Sequence, residues 1–253
     1  MADPKLKTIL ITGASSGLGA EMARQFADLG YDLALCARRT DRLEELKAEV
    51  LAKHPDRRVA IRALDVTDDD AVFRVFHEFA DELGTIDRVV INAGLGKGAA
   101  LGTGRYDANR ATAMTNFVAA LAQTEAAMEI FRDQGSGHLV MISSMSAVRG
   151  MPKNLTTYAA TKAGVAHLAE GLRAELHGGP IKVTVLYPGY IASEMNDRNP
   201  NPSPMLASTE KGVRAMVDAI EKEKASAHVP ALPWAPLGVV MRHAPMPLFK
   251  KLI

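Results

Sequence analysis

One cysteine, Cys36, is all that the 253 residues contain, so neither an internal disulfide nor a cysteine-rich zinc site is available to the chain. Cys36 lies inside an apolar run, where a buried, inert thiol is expected, and this usage is compatible with a reducing, cytoplasmic setting. Neither sign of charge is in surplus. Lys and Arg total 30 against 29 for Asp and Glu, a formal net charge of +1, which removes the counterion-release drive for nucleic-acid binding. No apolar stretch approaches the ~18 residues that would span a bilayer. The charged start and the short apolar run that follows, ending at Gly13, are too brief for a cleavable signal segment. Internal repeats and Gly/Ser linkers are missing as well. With 47% apolar and 23% charged residues the composition is that of an ordinary globular chain with enough apolar material for a sizeable core, which excludes disordered and collagen-like classes.

What is present is a rhythm of short apolar runs alternating with longer segments of helical periodicity, the pattern of repeated βαβ units. The runs at residues 8–11, 32–36, 59–63, 88–91, 137–142 and 182–187, with a weaker one at 227–229, predict strands. They are continuously apolar rather than alternating, as in a parallel sheet covered on both faces. Helices are predicted over 18–29, 41–51, 68–83, 108–132 and 157–176; Leu43, Leu46 and Val50, for instance, repeat at the spacing of one buried face. The expected fold is α/β, a doubly wound parallel sheet in a single domain. Residues 194–210, rich in Pro and Asn, are expected to form a substrate loop or lid, and residues 230–253 a C-terminal tail.

Thr12-Gly13-Ala14-Ser15-Ser16-Gly17-Leu18-Gly19 joins the first predicted strand to the first helix. It lacks the Lys-Ser/Thr ending of a nucleoside-triphosphate loop. In a dinucleotide turn the first glycine permits the tight bend, the middle one lets a diphosphate approach the backbone, and the last lets helix pack on strand. The helix N-terminus then offers N–H groups and a favourable dipole to the anion.

Together with Asn92-Ala93-Gly94, Ser144, Tyr158-Ala159-Ala160-Thr161-Lys162 and Pro188-Gly189, this turn resembles the classical short-chain dehydrogenase/reductase family, in order and spacing from Thr8 to about Ser193. The resemblance implies a Rossmann-like fold and a nicotinamide dinucleotide. It assigns cofactor contacts to Gly13, Ser15, Ser16, Gly17, Leu18 and Gly19, to Asp65 and Val66 near the adenine, and to Asn92, Ala93 and Gly94. Pro188, Gly189, Ile191 and Ser193 extend the set, Ser193 replacing the family's threonine but keeping the hydroxyl that would bind the carboxamide. Ser144 would hydrogen-bond the substrate oxygen, Tyr158 would transfer its proton, Lys162 would also hold the nicotinamide ribose, and Asn116 would anchor a water linking the lysine to solvent. Ile91 stands where the family often has another asparagine.

Two points follow from the residues themselves. The second strand ends in Ala37-Arg38-Arg39, where an acid would hold the ribose of NAD; guanidinium groups there favour the 2′-phosphate of NADP, with Arg38 the stronger candidate and Arg39 equally suited to a solvated helix face. Tyr158 and Lys162, four apart on one helix face, meet the same ligand, and an ammonium ~4 Å from the phenol would supply the ~4 kcal/mol that a drop of ~3 units from a pKa of ~10 requires. Ser143, Ser146 and Thr161 are read as supports. Met145, Met151, Tyr190, Met195 and Met205 suggest an apolar pocket, and His138, His167 and His177 have no metal-ligand spacing.

These readings converge on an NADP-dependent oxidoreductase that interconverts a carbonyl and an alcohol without a metal. Reduction of an activated C=C bond, cofactor-retaining epimerisation and a non-catalytic dinucleotide sensor are the alternatives. The expected partner is a small molecule, with neither nucleic acid nor membrane. A homo-oligomer is expected, with the tail preferred as a subunit contact over packing on its own subunit to help close the substrate cleft, and over a membrane surface.

Overall fold

The continuous apolar runs become strands because both of their faces are covered. The computed structural model describes residues 7–96, 98–194 and 205–252; Met195 and the 196–204 portion of the expected lid lie outside these described residues. Strands β1 (Thr8–Thr12), β2 (Asp32–Ala37), β3 (Val59–Ala63), β4 (Arg88–Ile91), β5 (Gly137–Ile142), β6 (Ile181–Pro188) and β7 (Ser226–Val229) form one parallel sheet in the order β3-β2-β1-β4-β5-β6-β7. Alternate residues of β1 go to opposite faces. Ile9 and Ile11 join the core beneath helices α1 (Gly17–Asp28), α2 (Thr40–Lys53) and, further along the chain, α7 (Thr209–Glu221). Leu10 joins the core beneath α3 (Asp69–Leu83), α5 (Ala119–Gln134) and α6 (Thr156–Glu175). The single doubly wound α/β domain is therefore as expected, and Cys36 is buried in it, its thiol pushed up by burial. Strand order reverses between β1 and β4, which opens a crevice at the carboxyl ends of the strands.

The structure departs from the expected elements in two places within this frame. The helix expected over 108–132 is divided into α4 (Tyr106–Ala113), a π-helical turn (Met114–Val118) and α5. The wider turn puts Asn116 inside the fold, where its side chain bonds the backbone of Leu95 rather than its own helix. Helix α7 was not among the predicted helices. Its signals are Ser208, whose hydroxyl accepts from Lys211 N at 3.4 Å, and the buried series Val213, Met216, Val217 and Ile220.

At the opposite end of the sheet His138 is buried beside Arg88. Thr184 Oγ1 donates to the Lys224 carbonyl and so accepts from His138 Nε2 at 2.8 Å, which leaves Nδ1 buried without a partner. Burial and the Arg88 cation push the imidazole down to about 3. It is neutral in the fold, whereas an unfolded histidine titrates at ~6.5. The associated stability is thus fully present above pH ~6.5 and is lost as pH falls toward the folded value, by about 2 kcal/mol at pH 5. Urea unfolding of the protein and of His138→Leu at pH 7 and pH 5 checks this: the variant is expected to lose less stability between the two, and equal losses would remove His138 from the account.

Candidate active site

Thr12, at the end of β1, laces the crevice together. Its Oγ1 accepts from the backbone N–H of Asn92 and of Ala93, both at 3.1 Å, while Asn92 Nδ2 donates to the carbonyls of Thr12 at 2.9 Å and Gly13 at 3.3 Å. Gly13 has φ +65°, and a Cβ on it would sit 2.9 Å from Ala93 Cα. A Cβ on Gly19 would sit 2.4 Å from the Gly13 carbonyl oxygen. Only glycine fits either place. Ser16 precedes α1 without a side-chain cap, so the first N–H groups of that helix are open to an anion. A bare backbone cradle at an uncapped helix start fits the diphosphate of a dinucleotide.

At the end of β2, Ala37 leaves room and the two arginines diverge. Arg39 Nη2 donates to Ser16 Oγ at 2.7 Å and to Glu194 Oε2 at 3.1 Å, and Arg39 Nε lies 3.4 Å from Ser15 Oγ. The Arg39 hydrogen bond also holds the Glu194 carboxyl below its ordinary value. Arg38 is mostly exposed and lies 4.0 Å from Asp65. Arg39, ranked behind Arg38 on sequence grounds, is therefore drawn onto the glycine turn as closely as any basic residue described. Asp65 does not cap α3; it accepts from Thr67 N at 3.0 Å and Thr67 Oγ1 at 2.8 Å, while Asp68 makes the cap.

The catalytic candidates gather at the end of β5 and on α6. Ser144 lines the cleft beside Tyr158 and accepts from Ser146 N at 3.1 Å. One turn beyond Tyr158, Lys162 Nζ donates to the Ile142 carbonyl at 2.8 Å. The three supports act as expected: Ser143 Oγ donates to the Lys162 carbonyl and Thr161 Oγ1 to the Tyr158 carbonyl, each at 2.7 Å, and Ser146 holds Ser144. Asn116 Oδ1 accepts from Leu95 N at 2.7 Å and its Nδ2 donates to the Leu95 carbonyl at 2.9 Å. Its side chain is thus a staple for the loop after β4, opposite Lys162 across Gly94.

Electrostatics correct one expectation. Burial of its hydroxyl end pushes the Tyr158 phenol up, and Ser144 offsets this only in part. The expected depression by Lys162 is not found. That ammonium is spent on the Ile142 carbonyl, and burial lowers it to about 8.

One cleft of about 1070 Å³ joins these parts. Every residue expected at the cofactor and catalytic sites lines it except Gly19 and Asn116, which stand behind its wall. Of the apolar candidates, Met145, Met151, Tyr190 and Met205 line it too. Trp234, Leu237 and Met241, from the tail, line it as well, which fits the alternative in which the tail closes the cleft of its own subunit. The tail forms α8 (Ala231–His243) and α9 (Met246–Leu252), and its inner face buries Trp234, Met241 and Phe249 against Met145 of its own subunit. These anchors pack over their own cleft, while Leu232, Val239, Val240, Met246 and Leu248 on the outer side of the tail stay exposed. The indole of Trp234 occupies the space above Gly189, where a Cβ would lie 2.0 Å from the ring. Such packing depends on how a distant segment docks, and the only local signal was the clustering of apolar residues between prolines. Among the described residues no group of three His, Cys, Asp or Glu could hold a metal ion, and no helix is long and apolar enough to cross a membrane.

A Rossmann-like sheet with a glycine cradle and a Ser-Tyr-Lys cluster at one crevice defines a class of dinucleotide-dependent oxidoreductases. The profile of the short chain dehydrogenases matches residues 7–203, and the chain belongs to that family. Its members are oxidoreductases that use a nicotinamide dinucleotide. An uncharacterized oxidoreductase of Mycobacterium tuberculosis is 57% identical over 233 residues, which cover 92% of each chain. A short-chain dehydrogenase from Sphingobium yanoikuyae, solved in complex with NADPH, superposes with a TM-score of 0.83 at 27% identity, covering 97% of this chain and 96% of the other. A Burkholderia phymatum family member in complex with NAD has a TM-score of 0.85 over 98% of this chain and 96% of its own, at 21% identity, a likeness of fold alone.

Proposed function

We propose that this protein is an NADP-dependent oxidoreductase that interconverts a carbonyl and an alcohol on an apolar small molecule. The observation that carries the reading is the gathering of Ser144, Tyr158 and Lys162 in the same cleft as the glycine cradle. When bound, the dinucleotide supplies or accepts the hydride. Ser144 Oγ and Tyr158 Oη are set to donate to one substrate oxygen, and Tyr158 releases its proton to that oxygen as negative charge develops there. Its raised pKa keeps the phenol protonated at neutral pH, the state needed for carbonyl reduction. Lys162, protonated below about 8 and held one turn from Tyr158 by the Ile142 carbonyl, would hold the nicotinamide ribose. Ser193, Pro188, Gly189 and Ile191 would hold the carboxamide end. Asp65 and Val66 would bound the adenine. Met145, Met151, Leu237 and Met241 give the remaining cleft an apolar lining suited to an apolar substrate.

The choice of NADP rests on Arg38 and Arg39 after Ala37, with Ser15 beside them and no acid at the end of β2. The relative solved with NADPH supports it. Consumption of NADPH and NADH, side by side, against a panel of aliphatic and aromatic ketones tests the reading; turnover is expected with NADPH, and none with either cofactor would favour a non-catalytic dinucleotide sensor. Removing either guanidinium, in Arg38→Ala or Arg39→Ala, is expected to weaken NADPH about tenfold, the size of one charge-assisted hydrogen bond at an accessible site, and to leave NADH within about twofold. Equal effects on both cofactors in a fluorescence titration would remove the 2′-phosphate from the argument.

A further inference from the structure

The loop that carries Ser144 continues through a short 3-10 turn (Met145–Ala147) to Arg149. Arg149 Nη1 donates to the carbonyl of Met241 at 3.0 Å and to that of Ala244, at the carboxyl end of α8. Its guanidinium also lies 4.5 Å from the centre of the Phe249 ring in α9. One cation thus closes the negative end of a helix and covers an aromatic face, two arrangements that favour it physically. At the other end of α8, Trp234 is seated on Gly189. Between the two anchors Leu237 and Met241 face the cleft. Met145, next to Ser144 in sequence, completes the cluster beneath them.

We infer that Arg149 is a positioning residue: through the Met241 and Ala244 carbonyls and the Phe249 ring it fixes α8 as the apolar wall of the substrate cleft, in register with Ser144. The clamp runs from the catalytic loop itself, so a shift of α8 changes the distance between the wall and Ser144. Lost wall contacts weaken binding of large apolar substrates more than they slow the chemistry, and they leave the glycine cradle as it was. The kinetic side of this inference rests on the proposed carbonyl–alcohol reaction. The structural side does not.

Trp234 is the one tryptophan of the chain and part of the wall, so its emission reports on the clamp without any turnover. Arg149→Met keeps an unbranched side chain and removes the donors and the charge. Its Trp234 emission is expected to shift to the red and its acrylamide quenching constant to rise about twofold, as for a locally opened segment. Arg149→Lys, which keeps a cation, should restore part of both changes. The NADPH dissociation constant should stay within about twofold, while KM for the largest ketone reduced rises about tenfold with kcat changed less than about threefold, the signature of lost binding rather than lost transition-state contacts. Unchanged emission and quenching in Arg149→Met would overturn the inference, as would a lysine variant no closer to the original protein than the methionine one. Should Arg149→Met not fold, Phe249→Leu removes the ring while keeping an apolar side chain, and an unchanged Trp234 signal there is equally decisive. A protein that binds NADPH and reduces no ketone would sink the proposed reaction alone, and the clamp would still be judged by Trp234.

Discussion

Tyr158→Phe is expected to lose roughly 10²–10⁴-fold in turnover while binding NADPH as the original protein does, because it removes one proton donor and almost no contact area. The geometry makes this separable from a folding defect. The Tyr158 hydroxyl shares the cleft with Ser144, whose own position is kept by Ser146 N, and the ring sits on a helix whose adjacent turn is tied through Lys162 to Ile142. Nothing in the sheet depends on the phenolic oxygen. Pre-steady-state and steady-state assays of NADPH oxidation, with a parallel NADPH titration, measure the two effects independently. A phenylalanine variant within about tenfold of the original rate would exclude the tyrosine as the proton donor. The pH profile supplies a second check. Reduction needs the phenol protonated and Lys162 charged, and the Lys162 value of about 8 predicts a reduction rate that is level through neutral pH and falls as pH rises through that value. A profile that instead rises steadily from pH 7 to 9 would contradict this protonation scheme.

The parts of this molecule that were legible in the sequence are those whose geometry is local. Ile9, Leu10 and Ile11 announce a strand buried on both faces, and Gly13 and Gly17, at positive φ, and Gly19, against the Gly13 carbonyl, meet a requirement set within the turn itself. The four-residue interval of Tyr158 and Lys162 fixes a shared helix face in the same way. What was not legible is non-local. Arg39 suits a phosphate contact and a solvated helix face equally until Ser16 and Glu194 are brought to it by the turn and by a segment more than a hundred residues away. Asn116 is assigned to the site by resemblance, but the π turn that delivers its side chain to Leu95 is not foreseen. The pKa argument for Tyr158 counted the charge of Lys162 and not the burial of the phenol, which pushes its pKa up. Trp234, Leu237 and Met241 gain their place from the docking of α8, which meets Arg149, Met145 and Gly189, all far from the tail in sequence.

Gly19→Ala is expected to abolish useful cofactor affinity, with NADPH binding weakened about 100-fold or more and stability lowered by ~1–3 kcal/mol, the range for overpacking a rigid site. The new Cβ would lie 2.4 Å from the Gly13 carbonyl oxygen, 2.7 Å from Asn92 Nδ2 and 3.0 Å from Ala14 Cα. Asn92 Nδ2 is the donor that holds the Thr12 and Gly13 carbonyls, so the clash falls on the lacing between β1 and β4. Helix α1 cannot retreat to relieve it, because Met22 and Phe26 on its inner face are fully buried against the sheet. The turn must move instead, and its N–H groups leave the positions that would receive the diphosphate. Helix propensity alone predicts the opposite sign, since alanine is favoured over glycine inside a helix by up to ~1 kcal/mol. Gly171→Ala is the matched control: Gly171 lies within α6, and a Cβ there would meet nothing within 4 Å. That variant should be unchanged or slightly more stable and should bind NADPH normally. Thermal unfolding and NADPH titration of the two variants decide the matter, and a Gly19→Ala protein that binds NADPH within about twofold of the original would show that this turn is not where the diphosphate is held.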